Sequence, residues 1–272
     1  MRRFIASLVD VADMLADALP GRRGEPFPPR STFAAVGGAR DFRRAGREFL
    51  GYFRDLCGLR PDERVLEVGC GIGRMALPLT KYLSPAGSYD GFDVASDGVE
   101  WCRQHVTPRY PNFRFQVADV YNGVYNPAGR TQPREYRFPH EDESFDLVFL
   151  TSVFTHMLPW DVEHYLSEIA RVLRVEGRCL ITYFLLNPET LRFMEERKPE
   201  VNFWHQRQGY RVMDPTNPEA AVAYEESDIR ALYARLGLRV VEPIYLGGWS
   251  RRPNWLTGQD LAIAVKTPPR QE

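Results

Sequence analysis

Three carboxylates and one histidine stand out because each lies where an apolar strand is expected to end. Val65-Leu66-Glu67-Val68 is a short buried-type run carrying one acid, and it leads directly into Gly69-Cys70-Gly71-Ile72-Gly73. Alternating glycines clear Cβ atoms from the backbone at the carboxyl end of a strand, so a ligand can approach the main chain closely. A dinucleotide fingerprint would want a third glycine at position 74, counting from Gly69, and that position is arginine. The turn therefore suits a nucleotide-like ligand without the dinucleotide register. Gly91-Phe92-Asp93-Val94 closes a second strand, where a carboxylate can accept both hydroxyls of a ribose. Val117-Ala118-Asp119-Val120 closes a third, where Asp119 can take the exocyclic amine of an adenine and a neighbouring N–H can meet a ring nitrogen. A fourth strand runs into Thr151-Ser152-Val153-Phe154-Thr155-His156. His156 can remove a proton near neutral pH, or it can cap the helix that follows; the sequence leaves both open.

The elements that must position these groups alternate. Strands are expected at 64–68, 88–93, 112–117, 145–150, 177–184, 238–245 and 261–266. Helices are expected near 41–57, 73–83, 95–106, 159–173, 187–197 and 228–236. Strand and helix in turn imply parallel strands with crossover helices, hence an α/β doubly wound sheet. In the 159–173 helix, Val162, Leu166, Ile169, Val172 and Leu173 form the inward stripe, with Glu163, Glu168 and Arg171 facing away. Residues 1–40 read as an N-terminal amphipathic helix and a Pro/Gly/Arg-rich linker, and 41–272 as one domain. That domain carries long insertions at about 121–142, 198–222 and 247–259, which read as ordered covers over a pocket because they are rich in aromatics.

The set Leu66-Glu67-Val68-Gly69-Cys70-Gly71-Ile72-Gly73, Gly91-Phe92-Asp93, Ala118-Asp119-Val120 and Ser144-Phe145-Asp146-Leu147-Val148, followed by Thr151 to Met157, resembles a class I S-adenosylmethionine-dependent methyltransferase. The likeness is to the small-molecule type related to ubiquinone and menaquinone biosynthesis methyltransferases, and it runs from about 60 to 185. It implies a Rossmann-like, mostly parallel seven-stranded sheet with an antiparallel last strand and helices on both faces. It also implies a cofactor site in which Gly69, Cys70, Gly71 and Gly73 cradle the methionine moiety and Glu67 orders its amino group. Asp93, with Val94 beside it, would hold the ribose, and Asp119 with Val120 would meet the adenine. Arg174-Val175-Glu176-Gly177 departs from the family's usual Lys-Pro-Gly-Gly turn.

Methyl transfer from a sulfonium is an in-line displacement governed by alignment in a dry site, and no metal is expected. S-adenosylmethionine would leave as S-adenosylhomocysteine. His156 is the first candidate base and His205 the second; His105, His140 and His164 read as solvated. Tyr121, Tyr125, Tyr136, Trp204, Tyr210, Trp249 and Trp255 lie in the long insertions. They suit a ring-bearing or amphipathic acceptor, or else they anchor loops to the core; Tyr121, Trp204, His205 and Trp249 are the acceptor-site candidates. Arg251 and Arg252 either receive an anionic group or are solvated.

Composition narrows the partners. Thirty-five basic against thirty-six acidic residues give a net charge of -1, which argues against nucleic acid as the main partner. Cys57, Cys70, Cys102 and Cys179 show neither CxxC nor CxxH spacing, so a disulfide framework and a zinc site are not expected and a reducing cytoplasm fits. Asp10, Asp13 and Asp17 interrupt the apolar stretch behind Arg2 and Arg3, which argues against a signal peptide. No membrane span is expected, since no apolar run approaches the roughly 18 to 20 residues that cross a bilayer. The functional expectation is methyl transfer to oxygen, nitrogen or carbon of a small, aromatic or sugar-like acceptor. The alternatives are a methyltransferase of RNA or protein, or a non-catalytic binder of adenosine ligands, and a homodimer remains open.

Overall fold

A computed structural model describes residues 26–28 and 39–268. The helix expected over 1–18 and most of the 20–38 linker lie outside them. The chain divides into two compact units, one of residues up to Asp62 with Cys70–Val117, the other of Glu63–Gly69 with Ala118 onward. A seven-stranded sheet has the order β10-β11-β5-β4-β1-β2-β3. Its strands are β1 (Arg64–Val68), β2 (Ser88–Asp93), β3 (Phe113–Val117), β4 (Phe145–Leu150), β5 (Leu173–Tyr183), β10 (Leu238–Tyr245) and β11 (Asp260–Lys266). β1 pairs parallel with β4, β4 with β5 and β2 with β3, whereas β11 runs antiparallel to both β5 and β10. The mostly parallel sheet with an antiparallel last strand is as the sequence implied. β1 and β4 lie side by side although β2 and β3 intervene in the chain, so the strand order reverses between them, and ligands in such sheets bind at the carboxyl ends of strands at that reversal.

In the first unit, α1 (Ala39–Asp55) buries Phe42, Phe49 and Phe53 on one face. The helix expected over 73–83 is shorter, since only Ala76–Leu79 (α2) is helical between turns. Pro78 is confined to a first helical turn by its missing N–H, and the Thr80 hydroxyl donates to the Leu77 carbonyl, drawing it away from helix continuation. α3 (Ser96–His105) packs on β2 and β3.

In the second unit, α4 (Pro159–Val172) begins with proline at its first turn, where no N–H is needed, and passes into β5 without a loop. β5 therefore starts at Leu173, four residues before the expected 177. The register between β4 and β5 shifts between the Phe145–Leu173 and Leu147–Arg178 pairs, which is a bulge where the extra residues bend the strand. Glu176 takes φ 64 there, so the departure from the family's Gly-Gly turn is a left-handed conformation borne by a glutamate. The stripe of Val162, Leu166, Ile169 and Val172 is buried as expected.

Glu168 and Arg171 do not face away, and this corrects the sequence reading. Glu168 is 7% exposed. Its carboxylate accepts from the Phe138 N–H at 2.8 Å and from Arg171 at 2.6 and 2.9 Å, and Arg171 also donates to Asp142 and to the Phe138 and His140 carbonyls. Residues 138–142 cover that helix face, which helical periodicity cannot reveal.

A second sheet, not anticipated, has the order β6-β9-β8-β7. It comprises β6 (Leu185–Leu186), β7 (His205–Arg207), β8 (Tyr210–Val212) and β9 (Val222–Glu225), strands too short to read by alternation. Part of the 198–222 insertion belongs to it. α5 (Pro188–Arg197) is capped by the Asn187 side chain accepting from the Thr190 N–H, and α6 (Glu226–Arg235) packs on β10.

Replacing Arg171 by Met should leave the Glu168 carboxylate buried without its ion pair and lower stability by about 3–5 kcal/mol. Urea unfolding followed by circular dichroism measures this, and a loss below about 1 kcal/mol would show the cluster to be solvated.

Candidate active site

The glycine turn and the end of β2 meet within the first unit. Gly71 holds φ 51 and its N–H donates to the Asp93 carboxylate at 2.7 Å; the other carboxylate oxygen accepts from the Ala95 N–H at 2.8 Å. A Cβ added at Gly71 would meet only that carboxylate, at 4.0 Å, so among the described residues the space over the turn is open. Gly98 has the opposite role, because a Cβ there would stand 2.7 Å from the Gly71 carbonyl, so α3 closes on the turn from behind. Burial pushes the Asp93 carboxyl above its usual range, and the N–H groups of Ala95, Gly71 and Val94 oppose that shift. Gly71 and Ala95 donate to different oxygens of Asp93, and each carboxylate oxygen carries two lone pairs.

In the second unit Glu67 is 2% exposed on β1, and Val68 is in register with Leu150 at the carboxyl ends of β1 and β4. Asp119 begins a tight loop in which its carboxylate accepts from both the backbone N–H and the guanidinium of Arg130. That hydrogen bond holds the Asp119 carboxyl below its usual range. The following Val120 is buried and Tyr121 half-buried.

His156 sits on a short turn of Phe154–His156 after β4. One of its ring nitrogens, Nδ1, lies 3.0 Å from the Glu219 carbonyl. A carbonyl can only accept, so Nδ1 carries the hydrogen and, in the neutral ring, Nε2 carries the lone pair. The Tyr125 ring meets the imidazole edge-on at 5.8 Å. The buried Tyr224 hydroxyl, 2.5 Å from the Phe154 carbonyl and 2.6 Å from that of Met157, ties down both flanks of the turn. The Glu219 carboxylate takes the Gly123 N–H at 3.2 Å, bringing the 121–142 and 198–222 insertions to the same turn. Asp161, in the first turn of α4, is pushed up to about 6 by burial and then by repulsion from Glu219.

The loop after β10 is fastened by Asp260. Its carboxylate, 1% exposed, accepts from the N–H groups of Leu185 at 2.6 Å and Gly247 at 2.5 Å and from the Trp249 indole at 2.8 Å. Trp249 packs with Phe184 and Phe203. Arg252 is also enclosed, bonded to Glu189 and Thr190, rather than solvated. Ser152, at φ 60 just past β4, donates from its hydroxyl to Gln259 at 3.0 Å and so joins this loop to the strand end.

Of the expected groups, Gly71 is thus joined to Asp93, and His156 to Tyr125. Trp204 and His205 are exposed at β7, and neither is a partner of His156. His164 is half-buried against the Tyr136 carbonyl rather than solvated. Asp161, Glu219, Tyr224 and Asp260 escaped the sequence reading because they meet groups distant along the chain, as far as the 96 residues between Gly123 and Glu219. The one available signal was Asp260, an acid opening an apolar strand. Among the described residues no three His, Cys, Asp or Glu side chains gather to hold a metal ion, and no helix is long and apolar enough to cross a membrane.

Residues 65–177 match the methyltransferase domain family. The chain is 37% identical over 44% of its length to phthiotriol/phenolphthiotriol dimycocerosates methyltransferase 1 of Mycobacterium ulcerans, covering 37% of that protein. It is 38% identical, again over 44% of its length, to a fatty-acid O-methyltransferase of Mycolicibacterium smegmatis, covering 36% of it. The chain thus spans little more than a third of these relatives. In fold it resembles magnesium protoporphyrin IX methyltransferase of Synechocystis PCC 6803, solved with bound SAH, at a TM-score of 0.53 and 14% identity over 98% of this chain and 100% of that one.

Burial pushes the Asp260 carboxyl up to about 6 against the donors around it. A raised carboxylate contributes stability below its unfolded value near 4 and loses it as pH rises through 6, because the folded state binds the proton more tightly. Stability should therefore fall by up to about 3 kcal/mol between pH 4 and 6.5 on this account, and Asp260→Asn should remove that share of the slope. Urea titrations at several pH values test this; an unchanged slope in the variant would place the titration elsewhere.

Proposed function

We propose that this chain, whose residues 65–177 match the methyltransferase domain family, is a class I S-adenosylmethionine-dependent methyltransferase that methylates a small amphipathic or ring-bearing acceptor on oxygen, nitrogen or carbon. The supporting observation is the Gly71 N–H aimed at Asp93 beneath an open glycine turn. The residues fit the cofactor: a carboxylate oriented by backbone donors at the end of a strand can accept the two hydroxyls of a ribose. A turn without Cβ atoms lets the backbone come close to a methionine moiety. Glu67 would order the amino group, and Asp119, kept ionised by Arg130, would accept from the adenine amine beside Val120.

When bound, S-adenosylmethionine supplies a methyl group on a positively charged sulfur, which leaves as a neutral thioether. The chain's own contribution is alignment and removal of the acceptor's proton. His156 suits the second task, since its Nδ1–H is spent on the Glu219 carbonyl and its Nε2 lone pair makes no hydrogen bond among the described residues. An acceptor O–H or N–H gives its proton to Nε2, and the heteroatom's electron pair forms the new bond to carbon. Tyr224 keeps the imidazole in place. Tyr125, half exposed beside the ring, offers an aromatic face to the acceptor, and the relatives named for fatty-acid and phthiotriol substrates favour an amphipathic one. Trp249, its indole committed to Asp260, serves this reading as an anchor of the 247–259 loop.

Calorimetry with S-adenosylhomocysteine should give tight binding to the intact chain and none with NAD. Asp93→Ala should weaken it by about 1–3 kcal/mol; unchanged affinity would remove Asp93 from the ribose. Screening fatty acids, phenols and sugars for release of S-adenosylhomocysteine identifies the acceptor. With an oxygen or nitrogen acceptor so found, His156→Ala should lower turnover about 10²–10⁴-fold while retaining cofactor affinity, and full activity would exclude it as base.

A further inference from the structure

Two arginines tie the carboxyl end of α5 to the loop after β10. Arg197 donates from Nη1 to the Arg251 carbonyl at 2.5 Å, and Arg251 donates from Nη1 to the Arg197 carbonyl at 3.1 Å. Both residues are exposed. Neither makes an ion pair among the described residues, and Nε and Nη2 of each guanidinium make no hydrogen bond there. Arg251 takes φ 58, and Lys198, which follows Arg197, takes φ 44. Left-handed backbone at residues other than glycine persists only where the surrounding structure imposes it, and such positions recur at ligand clamps.

The charge at this corner is not balanced. The Phe193 ring lies among the guanidinium carbons of Arg197, Arg192 and Arg252, at 4.3, 5.1 and 5.6 Å from its centre. Glu189 offsets Arg252 at 3.0 Å, and Glu196 offsets Arg192 at 4.0 Å. Arg197 and Arg251 have no such partner. The carbonyl end of a helix supplies roughly half a negative charge, so the greater part of two positive charges is left over. Hydrogen-bond donors are in excess as well: the Ser250 hydroxyl, 0% exposed, and Arg252 Nε have no partner among the described residues. Of the two neighbouring arginines that the sequence left open between anion binding and solvation, Arg252 is committed to Glu189 and Thr190, and Arg251 is the one with donors to offer.

A guanidinium presents Nε–H and Nη2–H along one edge as a fork for paired oxygens. One fork and one positive charge satisfy a carboxylate. Two forks and two charges match a tetrahedral group with three terminal oxygens, and a phosphate monoester carries about 1.5 to 2 negative charges at neutral pH. We propose that Arg197 and Arg251 together bind a phosphate monoester. None of these donors is a cofactor residue or the base, so the site does not depend on the methyl-transfer reading.

The test is titration calorimetry of the full chain, in low salt without phosphate or sulfate, using glycerol 1-phosphate, dimethyl phosphate and acetate. Glycerol 1-phosphate should bind once per chain, at least tenfold more tightly than the singly charged dimethyl phosphate, with acetate undetectable. Arg197→Gln and Arg251→Gln should each weaken it at least fivefold. Arg192→Gln, a neighbouring cation already offset by Glu196, should change it less than twofold, and circular dichroism confirms that all three variants fold. Cosedimentation with phosphatidylcholine vesicles containing phosphatidic acid separates the two sources of such a group: retention lost in Arg197→Gln assigns the site to a lipid headgroup, and otherwise the ester is a soluble one. No binding of glycerol 1-phosphate, equal affinity for dimethyl phosphate, or the same loss in Arg192→Gln as in Arg197→Gln would each overturn the proposal.

Discussion

A carboxylate held by backbone N–H groups at the end of a strand is the constraint on which the candidate site depends. The N–H groups of Gly71 and Ala95, each donating to Asp93, oppose the upward shift that burial imposes on its carboxyl. The same bonds fix the glycine turn in the one conformation that leaves its outer face open. If Gly71 could not take φ 51, its N–H would no longer reach the carboxylate, and turn and strand end would lose their common geometry. Gly98 serves the same end from behind, letting α3 approach until its backbone touches the turn.

Asp260 repeats this device for the opposite purpose. Its carboxylate collects two backbone donors and an indole, all buried, and therefore fastens chain segments rather than receiving a ligand. The difference lies in the surroundings. Asp93 stands beside the open space over the glycine turn, whereas Asp260 is enclosed by Trp249 and the aromatic rings packed on it. Chemical type alone therefore does not separate a binding acid from a structural one.

The surroundings of His156 show how distant insertions orient a single side chain. The 121–142 segment supplies Tyr125, the 198–222 segment supplies the Glu219 carbonyl, and β9 supplies Tyr224. None of these is near His156 in sequence. Together they fix the tautomer and orientation of one imidazole, which is what a general base requires beyond a suitable proton affinity. His156 does not cap the helix that follows, which starts behind Leu158 without a side-chain cap; its Nδ1 is turned to the Glu219 carbonyl instead.

The sequence by itself determined the parallel strands, the glycine turn and the acids at strand ends, because these follow from alternation, periodicity and residues whose backbone preferences are local. It also determined the bulge region's peculiarity at Glu176, though not its form. Only the tertiary structure decided that Arg171 and Glu168 face inward beneath residues 138–142, that short strands around Trp204 and His205 build a second sheet, and that Trp249 is spent on Asp260. Each of these depends on a partner distant along the chain, and long-range packing and the satisfaction of buried charge leave no periodic trace in the order of residues.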